Sequence, residues 1–195
     1  MQKPITHLLY LHGFRSSPQS MKARKTAAWI HQHRPDIEWW CPQLPPSPRA
    51  AMEVIDKRLA SWPMQNSAVI GSSLGGFYAT ALAQRTGCRA VLLNPAVYPA
   101  RDLGKYIGEI TAWHSDERFY FDASFIGELR ELTPAALTHP ARYFAVIAKG
   151  DEVLDWREMV ARYSDSPTKL LEGGDHALSD FDNLLPDVTG FLGLS

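Results

Sequence analysis

Cysteine is scarce in this 195-residue chain: only Cys41 and Cys88 occur, and their separation matches neither a metal-binding nor a redox motif. They are expected as buried, reduced thiols, which excludes a disulfide scaffold or a zinc ribbon. Excess charge is also missing. Lys and Arg number 20 against 21 Asp and Glu, for a formal net charge of −1. Nothing in that balance would hold a polyanion through counterion release, so nucleic acid is not an expected partner. Long hydrophobic runs are absent too. The stretch Leu8 to Leu11 is too short for a signal-peptide core and far too short to span a bilayer. No membrane span is expected, and the cytoplasm is the expected compartment. Neither a G-x-G-x-x-G loop nor a Gly-Lys-Ser/Thr phosphate loop occurs. His31 and His33, two apart on a helix, face different ways, so no metal site is expected there. There is no internal repeat and no low-complexity segment.

What is present is a core. Hydrophobic residues make up 45% of the chain, and a single domain of this length buries roughly 70% of its unfolded surface. Short aliphatic and aromatic runs recur at His7–Leu11, Ile37–Cys41, Ser67–Ile70, Ala90–Leu93, Tyr143–Ala148 and Lys169–Leu171. Runs this short, with little alternation, suit strands covered on both faces. Segments with helical spacing lie between them. Ala51, Ile55, Leu59 and Trp62 share a stripe behind a Ser47-Pro48 start. A helix after Ser73 is expected to end near Arg85 at Gly87. Asp155 and Glu158 read as a capping box ahead of Met159, Val160 and Tyr163. Strand and helix in alternation predict a mostly parallel central sheet with helices on both faces, and functional residues at the carboxyl ends of its strands. The alternation lapses from about 100 to 138. There Tyr98, Tyr106, Trp113, Phe119, Tyr120, Phe121 and Phe125 crowd together, and Phe121, Phe125, Leu129 and Leu132 have helical spacing. That segment is expected to be a small cap over the single domain.

The sharpest local motif is Gly71-Ser72-Ser73-Leu74-Gly75-Gly76, directly after a strand and before a helix. It fits G-x-S-x-G, the nucleophile elbow, with Ser73 in the central place. The glycines suit a tight turn in which neighbouring side chains would collide with the crossing chain. A serine hydroxyl needs a base to take its proton. Histidines number seven, and only His114, His139 and His176 follow Ser73. His114 falls in the cap segment and His139 enters a strand at the wrong end, which leaves His176 in a loop after the last strand. The acid should end the strand Tyr143–Ala148, where Asp151, Glu152 and Asp155 all qualify by position. Asp155 has a capping role to explain it, so Asp151 is preferred and Asp155 is kept as the alternative. The oxyanion hole is expected from the backbone N–H groups of Leu74 and Phe14, with Gly13 allowing the approach. His12 is read as packing that loop.

Taken together, these motifs resemble the YqiA-like esterases, small bacterial α/β-hydrolases with little capping structure. The resemblance is carried by Leu8-Leu9-Tyr10-Leu11-His12-Gly13-Phe14, Ser16-Ser17-Pro18, Pro42-Gln43-Leu44-Pro45-Pro46, the elbow, Asn94-Pro95-Ala96, Gly150-Asp151-Glu152-Val153-Leu154-Asp155 and Gly173-Gly174-Asp175-His176-Ala177. It implies an α/β-hydrolase fold, an esterase or thioesterase activity, a Ser73–Asp151–His176 triad and no cofactor. It is least clear between 100 and 138. Asp175 stands where asparagine would be usual, and its charge is expected to act on the neighbouring histidine.

The expected substrate is a small-molecule acyl ester or thioester with a neutral or apolar acyl group. Trp113, Phe121 and Phe125 are expected to line its slot, and charged groups other than Arg15 are expected to be few there. The competing readings are an amidase or peptidase on the same triad, and a hydrolase-like binding domain without turnover.

Overall fold

Strand-forming sequence and two-sided burial produce one sheet. The computed structural model describes residues 3–112 and 118–195. Its strands are β1 (His7–Leu11), β2 (Glu38–Trp40), β3 (Ser67–Ser72), β4 (Arg89–Leu93), a separate pair β5 (Gly108–Thr111) and β6 (Arg118–Phe121), then β7 (Tyr143–Ala148) and β8 (Thr168–Leu171). Six of them form a sheet in the order β2-β1-β3-β4-β7-β8, every pairing parallel. The helices between are α1 (Met21–His33), α2 (Pro48–Leu59), α3 (Leu74–Thr86), α4 (Pro99–Asp102), α5 (Ser124–Leu132), α6 (Trp156–Arg162) and α7 (Phe181–Leu192).

Side chains alternate across a strand with period two, and this sorts the core into two layers. Leu9, Leu11, Val69, Leu92, Ala145 and Ile147 face the layer that takes Ile55 of α2, Phe77 of α3 and Met159 of α6. Leu8, Tyr10, Ile70, Val91, Leu93 and Val146 face the layer that takes Ile30 of α1 and Val188 of α7. The runs of β1, β3, β4 and β7 are buried on both sides as read, whereas those of the edge strands β2 and β8 are only partly covered, with Leu170 exposed. The local signals hold in the same way. Ser47 Oγ accepts from the Ala50 N–H at 3.1 Å with Pro48 opening α2, and Gly87 closes α3 in the left-handed conformation at φ 77°. The strand expected at Ser67–Ile70 runs two residues further, because Gly71 pairs with Leu11 and Ser72 with Leu93.

The segment between β4 and β7 differs from its expected form. Phe121 does not stand on a helix with Phe125, Leu129 and Leu132. It ends β6, whose antiparallel partner β5 sets Gly108 opposite Phe121 and Thr111 opposite Arg118. The Asp122 carboxylate accepts from the Ser124 N–H at 2.8 Å and turns the chain into α5. Phe121 and Leu129 are fully buried all the same, since the strand's inner face and the helix meet the same core. Trp113 and His114 lie outside the described residues. Among the described residues no helix is long and apolar enough to cross a membrane.

Parallel pairing sends all six carboxyl ends of the main sheet to one edge, so the loops after β1, β3, β4, β7 and β8 gather there. At that edge α3 meets β1 almost backbone to backbone. A Cβ added at Gly75 would lie 2.0 Å from the Leu11 carbonyl oxygen, whereas one at Gly127 on α5 would meet nothing within 4 Å. Gly75→Ala should therefore cost about 3 kcal/mol or more through overpacking, while Gly127→Ala should stabilise by about 0.5–1 kcal/mol through helix propensity. Denaturant titration of both variants checks the contrast, and equal effects would contradict the packing described.

Candidate active site

The turn from β3 into α3 holds Ser73 at φ 56°, ψ −120°, a conformation that L-residues rarely adopt and that costs on the order of 1–3 kcal/mol. Several hydrogen bonds over-determine it. The Ser73 N–H donates to the Leu93 carbonyl at 3.0 Å, and its own carbonyl accepts from Gly76, Phe77 and Ala96. The turn also needs glycine at its flank: a Cβ on Gly71 would sit 2.2 Å from the Gly75 carbonyl oxygen. The result presents the Ser73 side chain at the sheet edge, at the N-terminus of α3. Leu74 is the first residue of α3, a position whose N–H has no intrahelical acceptor. Gly13, after β1, comes so close that a Cβ there would be 3.1 Å from Ser73 Cβ. The loop carrying the Phe14 N–H thus runs beside the hydroxyl.

His176 stands opposite, in the loop after β8. Its Nε2 is 3.1 Å from Ser73 Oγ and its Nδ1 is 2.8 Å from Asp151 Oδ2. A carboxylate only accepts, so Nδ1 carries the proton and Nε2 is free to accept from the hydroxyl. The Asp151 side chain is fully buried and that of His176 is 20% exposed. The other carboxylate oxygen of Asp151, Oδ1, accepts from the Val153 and Leu154 N–H groups, each at 2.8 Å. Asp155 faces away from this line and caps α6 by accepting from Arg157 N–H. The capping box is half present, because Glu158 reaches out to Arg101 instead of back to Asp155.

Three further side chains hold the histidine loop: Glu152, which the sequence offers only as a candidate acid, Asn94, which it offers only within a motif, and Lys22, which it does not single out. The Glu152 carboxylate accepts from the His176 N–H at 3.0 Å. Asn94, fully buried at φ 42°, donates to the Asp175 and His176 carbonyls and accepts from the Ala148 N–H. Lys22 of α1 donates to the Ala177 carbonyl at 2.5 Å. Asp175, expected to act on His176, instead turns its carboxylate onto the Ser179 N–H and Oγ. Those hydrogen bonds hold its carboxyl below the usual range, with a smaller pull from Lys22.

Residues 7–193 match the model of the Uncharacterised protein family UPF0227, the YqiA family. The chain belongs to this family. Its fold is that of the α/β-hydrolases, as solved structures show. A protein of Agrobacterium vitis S4 superposes at TM-score 0.79 with 16% identity, over 97% of this chain and 91% of its own. Alpha/beta hydrolase domain-containing protein 10 from mouse gives TM-score 0.68 at 16% identity, over 95% and 92%. Carboxylesterase CesB from Bacillus subtilis gives 0.62 at 17% identity, over 97% and 84%.

In this member of the YqiA family a cleft of about 1240 Å³ opens over Ser73 and His176. One wall is apolar, with Phe14, Leu44, Leu74, Tyr78 and Phe119 among its lining. Phe121 and Phe125, expected in that wall, are not in it. Period-two geometry on β6 turns Phe119 and Phe121 to the same side, but Phe121 is packed behind the wall, its ring edge-on to Phe14 at 5.3 Å and to Phe125 at 5.4 Å. Charge is also less sparse than expected, because α1 brings Lys22 and Arg24 to the cleft alongside Arg15.

His12 anchors the loop beside Ser73. Its Nε2 accepts from the Leu44 N–H at 3.1 Å and its Nδ1 lies 2.9 Å from the Gly13 carbonyl, a pattern that only the neutral ring satisfies. Burial pushes its pKa below the ordinary 6.5, partly offset by the Gly13 carbonyl. Between that lowered value and 6.5 the unfolded chain binds the proton that the folded chain refuses. Stability from this group is therefore complete above 6.5 and lost as pH falls through the folded value. Thermal melts from pH 7.5 down to 5 should lose Tm more steeply for the parent than for His12→Gln. Parallel curves would show that the ring is not held neutral.

Proposed function

We propose that the chain is a serine hydrolase that cleaves carboxylic esters or thioesters of apolar acyl groups through an acyl-enzyme intermediate. Ser73 is the nucleophile, His176 the general base and then acid, and Asp151 the group that fixes the imidazole. The observation that carries this reading is the continuous line Asp151 Oδ2–His176 Nδ1, His176 Nε2–Ser73 Oγ, at 2.8 and 3.1 Å, opening into a cleft with an apolar wall. The fold shared with carboxylesterase CesB adds support. Free Cys41 and Cys88 accord with a cytoplasmic setting.

Each part has a task in the reaction. Ser73 Oγ adds to the acyl carbon as its proton passes to His176 Nε2. The oxyanion that forms is received by the N–H groups of Leu74 and Phe14, each such donor contributing about 2.7–4 kcal/mol of transition-state stabilisation. Collapse expels the alkoxide or thiolate, which takes the proton from the imidazolium, and water repeats the sequence to release the acid. Asp151 stays ionised and stabilises the imidazolium. The acyl group lies along Phe14, Leu74, Tyr78 and Phe119, beneath the segment from about 100 to 138 acting as a small cap. The polar wall takes the leaving group.

Ser73→Ala should lower turnover of a p-nitrophenyl ester by about 10⁶ and Asp151→Asn by about 10⁴. Ser72→Ala and Asp155→Asn should be mild by comparison. An active Ser73→Ala protein, or one still labelled there by a fluorophosphonate, would sink the assignment. Along a C2 to C12 series kcat/KM should climb by up to ~0.8 kcal/mol of transition-state binding per methylene, then level off. Phe119→Ala should move the turning point. A flat series would show that the apolar wall does not hold the acyl chain.

A further inference from the structure

We infer that Lys22 is a positioning residue for His176: its ammonium, set in the first turn of α1, holds the histidine loop in the geometry that serves Ser73. This rests on the assignment of Ser73 and His176 above and adds a function for a residue outside the triad.

The position of the group is unusual for a lysine. Lys22 is only 9% exposed, whereas lysine is almost never buried without a partner. Its partner is the Ala177 carbonyl, one residue beyond His176 and 155 residues away in sequence. Glu152 holds the N–H of His176 and Asn94 its carbonyl. Those two contacts arise from the loops after β7 and β4, on the sheet side. Lys22 supplies a further contact from α1, so the three side chains that hold the loop come from three different elements of the chain. The charges that act on it are the carboxylates of Asp175, beside His176 in the chain, and Asp151, bonded to its imidazole. A cation there attracts the carboxylate that orients the imidazole as well as the loop that carries it.

The placement has a stability cost. Burial pushes the Lys22 pKa down to about 8, with Asp175 and Asp151 opposing the shift. The sign follows from proton linkage. Between about 8 and the ordinary 10.5 the unfolded chain keeps a proton that the folded chain gives up, so stability from this group rises with pH across that window. At neutral pH the buried ammonium is a net burden on folding.

Lys22→Met, Lys22→Gln and Lys22→Arg test the inference, with kcat and KM on p-nitrophenyl butyrate, the rate of fluorophosphonate labelling of Ser73, Tm, and the proton resonance of the His176 Nδ1–H. Lys22→Met should lower kcat and the labelling rate together, by up to about 10²-fold for a misplaced catalytic group. KM and Tm should hold or Tm should rise, and the resonance should shift or broaden. Lys22→Gln should behave like Met, and Lys22→Arg should recover most of the loss. The parent's rate should also fall on the alkaline side near 8, a limb that Met lacks and Arg moves upward. A folded Lys22→Met protein with unchanged kcat overturns the inference, as does a loss of kcat that tracks a loss of Tm. Should the parent neither hydrolyse the ester nor label at Ser73, the esterase reading fails instead. The resonance then decides for Lys22, since identical spectra in parent and Met variant overturn it and a changed spectrum upholds it.

Discussion

The backbone at Ser73 is the constraint on which the rest of the site depends. Its φ of 56° is tolerated only where neighbouring chain takes up every polar group and leaves no room to relax. Leu93, Gly76, Phe77 and Ala96 supply those partners from the end of β4, the loop that follows it and α3. Close approach by glycine then becomes obligatory, because β3 and α3 pass too near for a Cβ at Gly71, and β1 and α3 too near for one at Gly75. The two-sided sheet is what makes this affordable: β3 is buried along its whole length, between β1 and β4. A central strand has no edge along which to slip.

The histidine side of the site is built on the opposite plan. No regular element carries His176, and its loop is fixed by side chains reaching in from elsewhere. Asn94 alone joins the end of β7 to that loop, with one amide accepting from Ala148 and donating to two carbonyls. An amide is suited to this because it both donates and accepts, and a buried amide with every partner in place rigidifies what it joins. A strained but rigid turn thus faces a loop whose position is set by polar contacts.

How much of this was legible follows from the range of each interaction. Strand alternation, the Ser47 and Asp155 caps and the Gly87 terminus are written in neighbouring residues, and they fold as read. The elbow, Asp151 and His176 stand out as candidates because chain order and strand ends restrict the choice, and the structure brings those side chains within hydrogen-bonding distance. Lys22, Asn94 and Glu152 carry no local pattern, since their partners lie 155, 81 and 24 residues away. Phe121 was misread for a different reason. Its four-residue spacing to Phe125 fits a helix, yet a β-turn at Asp122 lies between them, and both placements bury the ring.

The hairpin of β5 and β6 explains why the aromatics cluster where the strand-helix alternation lapses. Phe14 packs against Tyr106, Phe119 and Phe121, and Arg15 Nε donates to the Thr111 carbonyl, 96 residues on. The loop that carries the proposed oxyanion donor is therefore docked on the hairpin, while Phe119 of the same hairpin faces the cleft. One element then sets both the width of the apolar wall and the placement of the Phe14 N–H. Because close-packed rings transmit displacement and do not absorb it, a substitution that widens the wall from within the hairpin core moves the donor as well. Enlarging the slot at Phe119, which lies on the cleft surface, removes one edge contact to Phe14 but leaves the edge-to-face contacts Phe14–Phe121 and Phe121–Phe125 beneath it in place. Acyl selectivity and turnover are thus separable at the surface of the hairpin and coupled in its core.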